Sequence, residues 1–132
     1  MLLVDTNVLV DVFQDDPDWA QWSTSQLRSQ ARVHQLVINP VVYAEISLSF
    51  STLEGLENAV ATLALEFREI PRPALFLAAR AFVQYRKRGG SKSNVLSDFF
   101  IGAHAAVEGW PLLTRDASRF RTYFPSLHVV AP

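Results

Sequence analysis

The sequence predicts an α/β fold built on a central, mostly parallel sheet, and three observations carry that expectation. Short, uninterrupted apolar runs recur at Leu2–Val4, Leu36–Ile38 and Leu112–Thr114, as expected of strands buried on both faces. Between them lie segments whose apolar residues return at helical spacing. The first run also stops at a carboxylate, Asp5, and gives way at once to a helix. A strand, an acid at its carboxyl end and then a helix is how open α/β sheets build active sites. Asp5 could serve equally as a helix cap, so the other acids have to decide its role.

The remaining elements follow in chain order. After Thr6 and Asn7, Val8, Leu9, Val12 and Phe13 give the first helix. The acidic turn Gln14–Asp18 leads into a helix expected from Pro17 to Gln30, with Asp16 as cap and Pro17 at the first position. Asp15, Asp16 and Asp18 fit turn and cap chemistry better than a metal site. Asn39-Pro40 opens a helix running from Val41 to Phe50, in which Glu45 is the only charge among residues suited to burial. A further helix is expected over Ser51–Leu65 and a third strand over Phe67–Ile70. A long helix starts at Pro73 and ends near Lys87, before Gly89-Gly90. Ser97 is expected to cap the next helix, with Asp98 in its first turn. That helix is apolar nearly all round and therefore buried, and its His104 reads as a satisfied core histidine. Ala117–Phe124 is a short helix or turn, and Leu127–Val130 an edge strand.

A chain of 132 residues fits one domain, 1–132, with a sizeable core. Its 49% hydrophobic content argues against disorder. No apolar run approaches the roughly 18 residues of a membrane span, and no basic n-region precedes the first run. A cytoplasmic protein is the expectation. The absence of cysteine excludes disulfides, zinc–thiolate sites and thiol nucleophiles. The net charge of −1 conceals a split. Met1–Ile70 holds ten acids and three bases; Pro71–Pro132 holds nine bases and three acids. Such a split can mark a nucleic-acid surface, or it can vanish when the halves interleave. Arg86, Lys87, Arg88 and Lys92 form the one concentrated candidate for phosphate contacts, although basic residues also suit a helix C-terminus.

Four acids share a structural address. Asp5 ends the first strand, Glu45 lies early in the helix after the second, Asp98 opens the buried helix, and Asp116 follows Leu112–Thr114. In a parallel sheet these positions lie along one edge, although 40, 53 and 18 residues separate them in turn. Carboxylates about 4 Å apart repel by roughly 4 kcal/mol per pair at an effective dielectric near 20. Protonation or a divalent cation must relieve that repulsion. An oxygen-only donor set selects Mg²⁺ or Mn²⁺ over zinc, and an acidic site holding such an ion suits phosphoryl chemistry. The three histidines, His34, His104 and His128, show no spacing of a metal-independent ribonuclease pair. A Gly-x-Ser-x-Gly elbow and a phosphate-binding glycine loop are both absent.

Asp5-Thr6-Asn7 after an apolar strand, Glu45 in an apolar helix, Ser97-Asp98 with Phe99–Ala105, and Leu112–Asp116 with Phe120 resemble the PIN-domain ribonucleases. Among these the likeness is to the VapC-type toxins of toxin–antitoxin pairs, and it covers essentially the whole chain. The resemblance implies a three-layer α/β/α fold and a Mg²⁺- or Mn²⁺-dependent endoribonuclease. It also implies a homodimer held in check by a small antitoxin. By position, Asp5, Glu45, Asp98 and Asp116 become the catalytic quartet. Asp5, Asp98 and Asp116 are then metal ligands, Glu45 acts through water, and Asn7 and Thr114 support the site. Ser97 departs from the proline found in many members. Two alternatives stand beside this reading. A phosphatase of the haloacid dehalogenase kind would want a second aspartate at position 7, where this chain has Asn7. A non-catalytic RNA- or protein-binding module would have no reason to keep mutually repelling acids.

Overall fold

The computed structural model describes residues 1–93 and 95–132. Five strands form one sheet: β1 (Leu2–Val4), β2 (Leu36–Ile38), β3 (Glu66–Phe67), β4 (Leu112–Leu113) and β5 (Val129–Val130). Their spatial order is β3-β2-β1-β4-β5, and every pairing is parallel. The register sets Leu3 beside Val37 on one side and Leu112 on the other. Leu2, Leu3 and Val4 are fully buried, as a central strand covered on both faces requires.

The helices are α1 (Thr6–Phe13), α2 (Ala20–Ala31), α3 (Pro40–Ile46), α4 (Leu53–Thr62), α5 (Arg72–Lys87), α6 (Leu96–Glu108) and α7 (Ser118–Tyr123). With right-handed crossovers, α1–α4 cover one face, and the jump from β3 to β4 carries α5–α7 to the other. The contacts agree with this layering: α1 packs on α2 and α3, and α6 on α5 and α7. A three-layer α/β/α sandwich results, its sheet wholly parallel rather than mostly so. Strand order reverses between β1 and β4, and a crevice at such a reversal is where sheets of this kind place ligands. No helix among the described residues is long and apolar enough to cross a membrane.

Local chemistry explains the boundaries, including those the sequence misplaces. Helix α2 begins at Ala20 rather than Pro17. The Asp16 carboxylate accepts from the N–H groups of Asp18 and Trp19, each at 2.9 Å, and holds them in a turn. Helix α3 starts on the cap that Asn39-Pro40 suggests but stops at Ile46, and a 3₁₀ turn over Ser47–Ser49 follows. There the Ser47 hydroxyl bonds back to the Tyr43 carbonyl at 2.6 Å. Helix α4 is shorter than expected, capped by Thr52 and ending before Ala64, whose φ is +51°. The third strand is Glu66–Phe67, earlier and shorter than Phe67–Ile70. Ser97 is not the cap of α6: the helix begins one residue before it, and Val95 in the cap position contributes no side-chain bond. Asp98 still lies in the first turn.

The second half packs on small residues. Ala74, Ala78 and Ala81 bring α5 against α6. On α6, Gly102 lets the ring of Phe124 approach so closely that a Cβ there would lie 2.5 Å from it and 3.0 Å from Phe120. Both rings are buried and cannot swing aside. Gly102→Ala is therefore expected to destabilise the fold by about 1–3 kcal/mol, measured by urea unfolding. Gly109 ends α6 with φ +70°, a left-handed closure suited to glycine.

Candidate active site

All four acids issue from the carboxyl-terminal edge of the sheet. Asp5 leaves β1 in extended conformation and caps α1, its Oδ1 accepting from the Thr6 N–H at 2.7 Å. Its Oδ2 accepts from the Thr114 hydroxyl at 2.8 Å, just beyond β4. So Asp5 is both a cap and a member of the cluster; the two readings do not compete. Thr114 is fully buried, and its oxygen also accepts from the Asp116 N–H at 3.2 Å and from Asn7 Nδ2 at 3.4 Å. Asn7 Oδ1 accepts in turn from the Arg115 N–H at 3.3 Å. These bonds lock the end of β4 to the start of α1, across the point where strand order reverses.

Glu45 is half-buried on α3 and accepts from the Thr6 hydroxyl at 2.6 Å. Asp98 comes from the other helical layer and pairs with Arg119 of α7, Nη1 to Oδ2 at 2.6 Å. Asp116 is exposed at the rim. The electrostatics tie the four together. Burial pushes the Asp5 carboxyl up to about 7, opposed by the Thr114 hydrogen bond and reinforced by the charges of Asp98 and Glu45. Burial likewise raises Asp98, and Glu45 and Asp116 add to the rise, while Arg119 pulls it back. Each direction states the same thing: negative charge is crowded here and short of compensation.

Among the described residues no three acidic or histidine side chains stand close enough to form a ready-made metal site. Thr114 holds one oxygen of Asp5, Thr6 one of Glu45 and Arg119 one of Asp98. The donor chemistry nonetheless fits a hard divalent cation. All donors are oxygens, and the buried Asp5 carboxylate gains most from added positive charge.

Residues beyond the expected set complete the surroundings. Asp11 of α1 is buried and accepts from Ser23 at 2.8 Å and from Arg115 Nε at 3.0 Å. The Arg115 guanidinium lies 5.4 Å from the Trp19 ring centroid. Thr6, Asp11, Ser23, Arg115 and Arg119 were not singled out by the sequence for these roles. A usable signal existed for Arg115 and Arg119, which sit within three residues of Asp116 on the same edge. His104 is a core residue, as expected. Asn39 spends its Oδ1 on the Val42 N–H, so its amide donates to His104 Nδ1 at 3.2 Å. That leaves a neutral ring against Trp110, and burial lowers its pKa. Arg86, Lys87, Arg88 and Lys92 lie at and beyond the end of α5, and none of them forms an ion pair with the four acids among the described residues. Arg86 covers Phe82 and Arg88 covers Tyr123, while Arg119, which pairs with Asp98, lies over Tyr85. A surface groove of about 570 Å³ follows α2 past Thr24, Arg28 and Arg32, and none of the four acids lines it. We locate the chemistry at the acids, because a groove along one polar helix face converges on no reactive group.

Known proteins bear on this geometry in two ways. No curated protein matches the sequence. Solved structures match the fold. VapBC2 from Rickettsia felis, bound to a DNA fragment of its promoter, superposes with a TM-score of 0.75 at 20% identity, covering 99% of this chain and 98% of that one. VapBC-1 from nontypeable Haemophilus influenzae gives 0.74 at 16% identity, covering 98% and 96%. DNA-bound VapBC from Salmonella typhimurium gives 0.72 at 16% identity with the same coverage. At such identities the likeness shows the fold. The PIN domain family model matches residues 2–124, nearly the whole chain, and so takes in the sheet edge and all four acids. The chain belongs to the PIN domain family.

Proposed function

We propose that this PIN nuclease is a Mg²⁺- or Mn²⁺-dependent endoribonuclease, acting as the toxin of a toxin–antitoxin pair in the cytoplasm. One observation supports the reading: the charges of four acids act on one another at one sheet edge, where burial and mutual repulsion push Asp5 up to about 7. Asp5, Asp98 and Asp116 would hold the cation, with Glu45 acting through water. When bound, the ion supplies Lewis acidity at the phosphodiester and a lowered pKa for the attacking water. The chain's own part is positional. Thr114 and Asn7 fix Asp5 and the Asp116 loop, and Thr6 fixes Glu45. Arg86, Lys87, Arg88 and Lys92 would contact the phosphates of the RNA backbone.

The similar structures, among them a toxin–antitoxin complex from Klebsiella pneumoniae, support a small antitoxin as partner. Leu48, Leu53 and Phe76, which are 90%, 70% and 65% exposed, supply apolar area for protein partners. A homodimer is part of the proposal, and a monomeric mass at micromolar concentration would overturn that part. The activity is tested by incubating RNA with the purified chain in Mn²⁺ and in chelator. Cleavage leaving 5′-phosphate and 3′-hydroxyl ends is expected with Mn²⁺ alone. Asp98→Asn should lower its rate on the order of a thousandfold. Equal cleavage in chelator, or by the variant, would defeat the proposal.

A further inference from the structure

Arg119 stands against one of the acids that would hold a cation. Its guanidinium holds Asp98 at 2.6 Å, the one arginine paired with any of the four acids among the described residues. Both side chains remain about a third exposed, at 30% and 32%, so the pair is open to exchange with solvent ions. A second resting place adjoins it. The guanidinium lies 6.0 Å from the Tyr85 ring centroid, within reach of a cation–π contact. Tyr85 is held by Phe82, Phe99 and Tyr123, at centroid distances of 6.2, 5.8 and 6.2 Å. Arg119 can therefore give up Asp98 without stranding its charge. Among the described residues Asp5 and Glu45 have neutral partners: Thr6 for Glu45, and Thr114 with the Thr6 N–H for Asp5.

We propose that Arg119 is a built-in counter-ion that holds Asp98 in the metal-free protein and must be displaced onto the Tyr85 face when a divalent cation enters. Cation affinity is then set by a competition inside the chain. This rests on the metal-dependent reading above, and it adds a residue which that reading does not need. Arg119 is a positioning residue in this scheme, acting through Asp98.

The test is Mn²⁺ binding by titration calorimetry on the full chain without RNA. Removing the competing charge in Arg119→Gln should tighten Mn²⁺ binding on the order of tenfold. Arg119→Lys, which keeps the charge, should stay near wild type, and added salt should narrow the gap. Equal or weaker binding by Arg119→Gln overturns the counter-ion role and leaves the metal site standing. Failure of every form to bind Mn²⁺ overturns both. In the unmutated protein, the Arg119 Nε–H resonance should move when Mg²⁺ is added. A resonance unmoved at saturating Mg²⁺ counts against displacement, and this arm does not depend on a variant folding.

Discussion

Asp5→Asn is expected to abolish RNA cleavage while making the metal-free protein more stable, two effects of opposite sign from one substitution. The carboxyl is pushed from 3.8 to about 7 on folding, chiefly by burial. The native state therefore binds this proton more tightly than the unfolded chain does. Its favourable contribution is complete below about pH 4 and is lost as pH rises through 7. At pH 8 the ionised group opposes folding by on the order of 4 kcal/mol, since each tenfold gain in proton affinity corresponds to about 1.4 kcal/mol. Asparagine removes that penalty, but its amide nitrogen cannot accept from the Thr114 hydroxyl as the second carboxylate oxygen does, and a buried bond left unmade costs about 2 kcal/mol. A net gain of about 2 kcal/mol at pH 8 remains, several degrees in Tm. Thermal melts in chelator between pH 5 and 8 should fall for wild type and run flatter for the variant. Parallel curves would mean that Asp5 is not under strain. Added Mn²⁺ should restore stability to wild type, as anything that binds the native state alone must.

Arg115→Leu carries the largest expected loss of stability. Asp11 is 1% exposed, with Arg115 and Ser23 as its partners. Removing the arginine leaves a buried carboxylate with a single hydroxyl donor, a change that costs about 3–5 kcal/mol in fully buried pairs. Arg115 is itself a third exposed, so water can replace part of it, and we expect about 2–3 kcal/mol by urea unfolding. Activity should fall as well, because the Arg115 side chain ties the Asp116 loop to Asp11 of α1. The double variant Asp11→Asn/Arg115→Leu should recover much of the lost stability, since no unpaired charge is left behind. Recovery of stability without recovery of activity would separate the two roles.

What could be read from the sequence, and what could not, divides along physical lines. The three principal strands and the helix-start acids were legible. A doubly buried strand must be continuously apolar, and a parallel sheet must return each strand end to the same edge. That rule put Asp5, Glu45, Asp98 and Asp116 on one edge as candidates for a shared site. Helix ends were less legible, because they turn on single side-chain bonds. Asp16 delays α2, the Ser47 back-bond accompanies the end of α3, and α6 starts ahead of Ser97 instead of being capped by it. Least legible was the wiring between the acids. The Thr6–Glu45 and Asp98–Arg119 contacts join residues 39 and 21 positions apart, and depend on which way a rotamer points. The charge split between the halves was also half-resolved. Arg115 does bring the basic half to the acidic half through Asp11, whereas Arg119 pairs with Asp98 inside its own half, and the run at the end of α5 forms no ion pair among the described residues.

The proposed function depends on separated carboxylates sharing a cation, and crystals soaked in Mn²⁺ test that most directly. The anomalous difference map should show a peak touching the carboxylates of Asp5 and Asp98, with Asp116 beside it and Arg119 swung away. A peak bound by one acid alone, or none at saturating Mn²⁺, would contradict it.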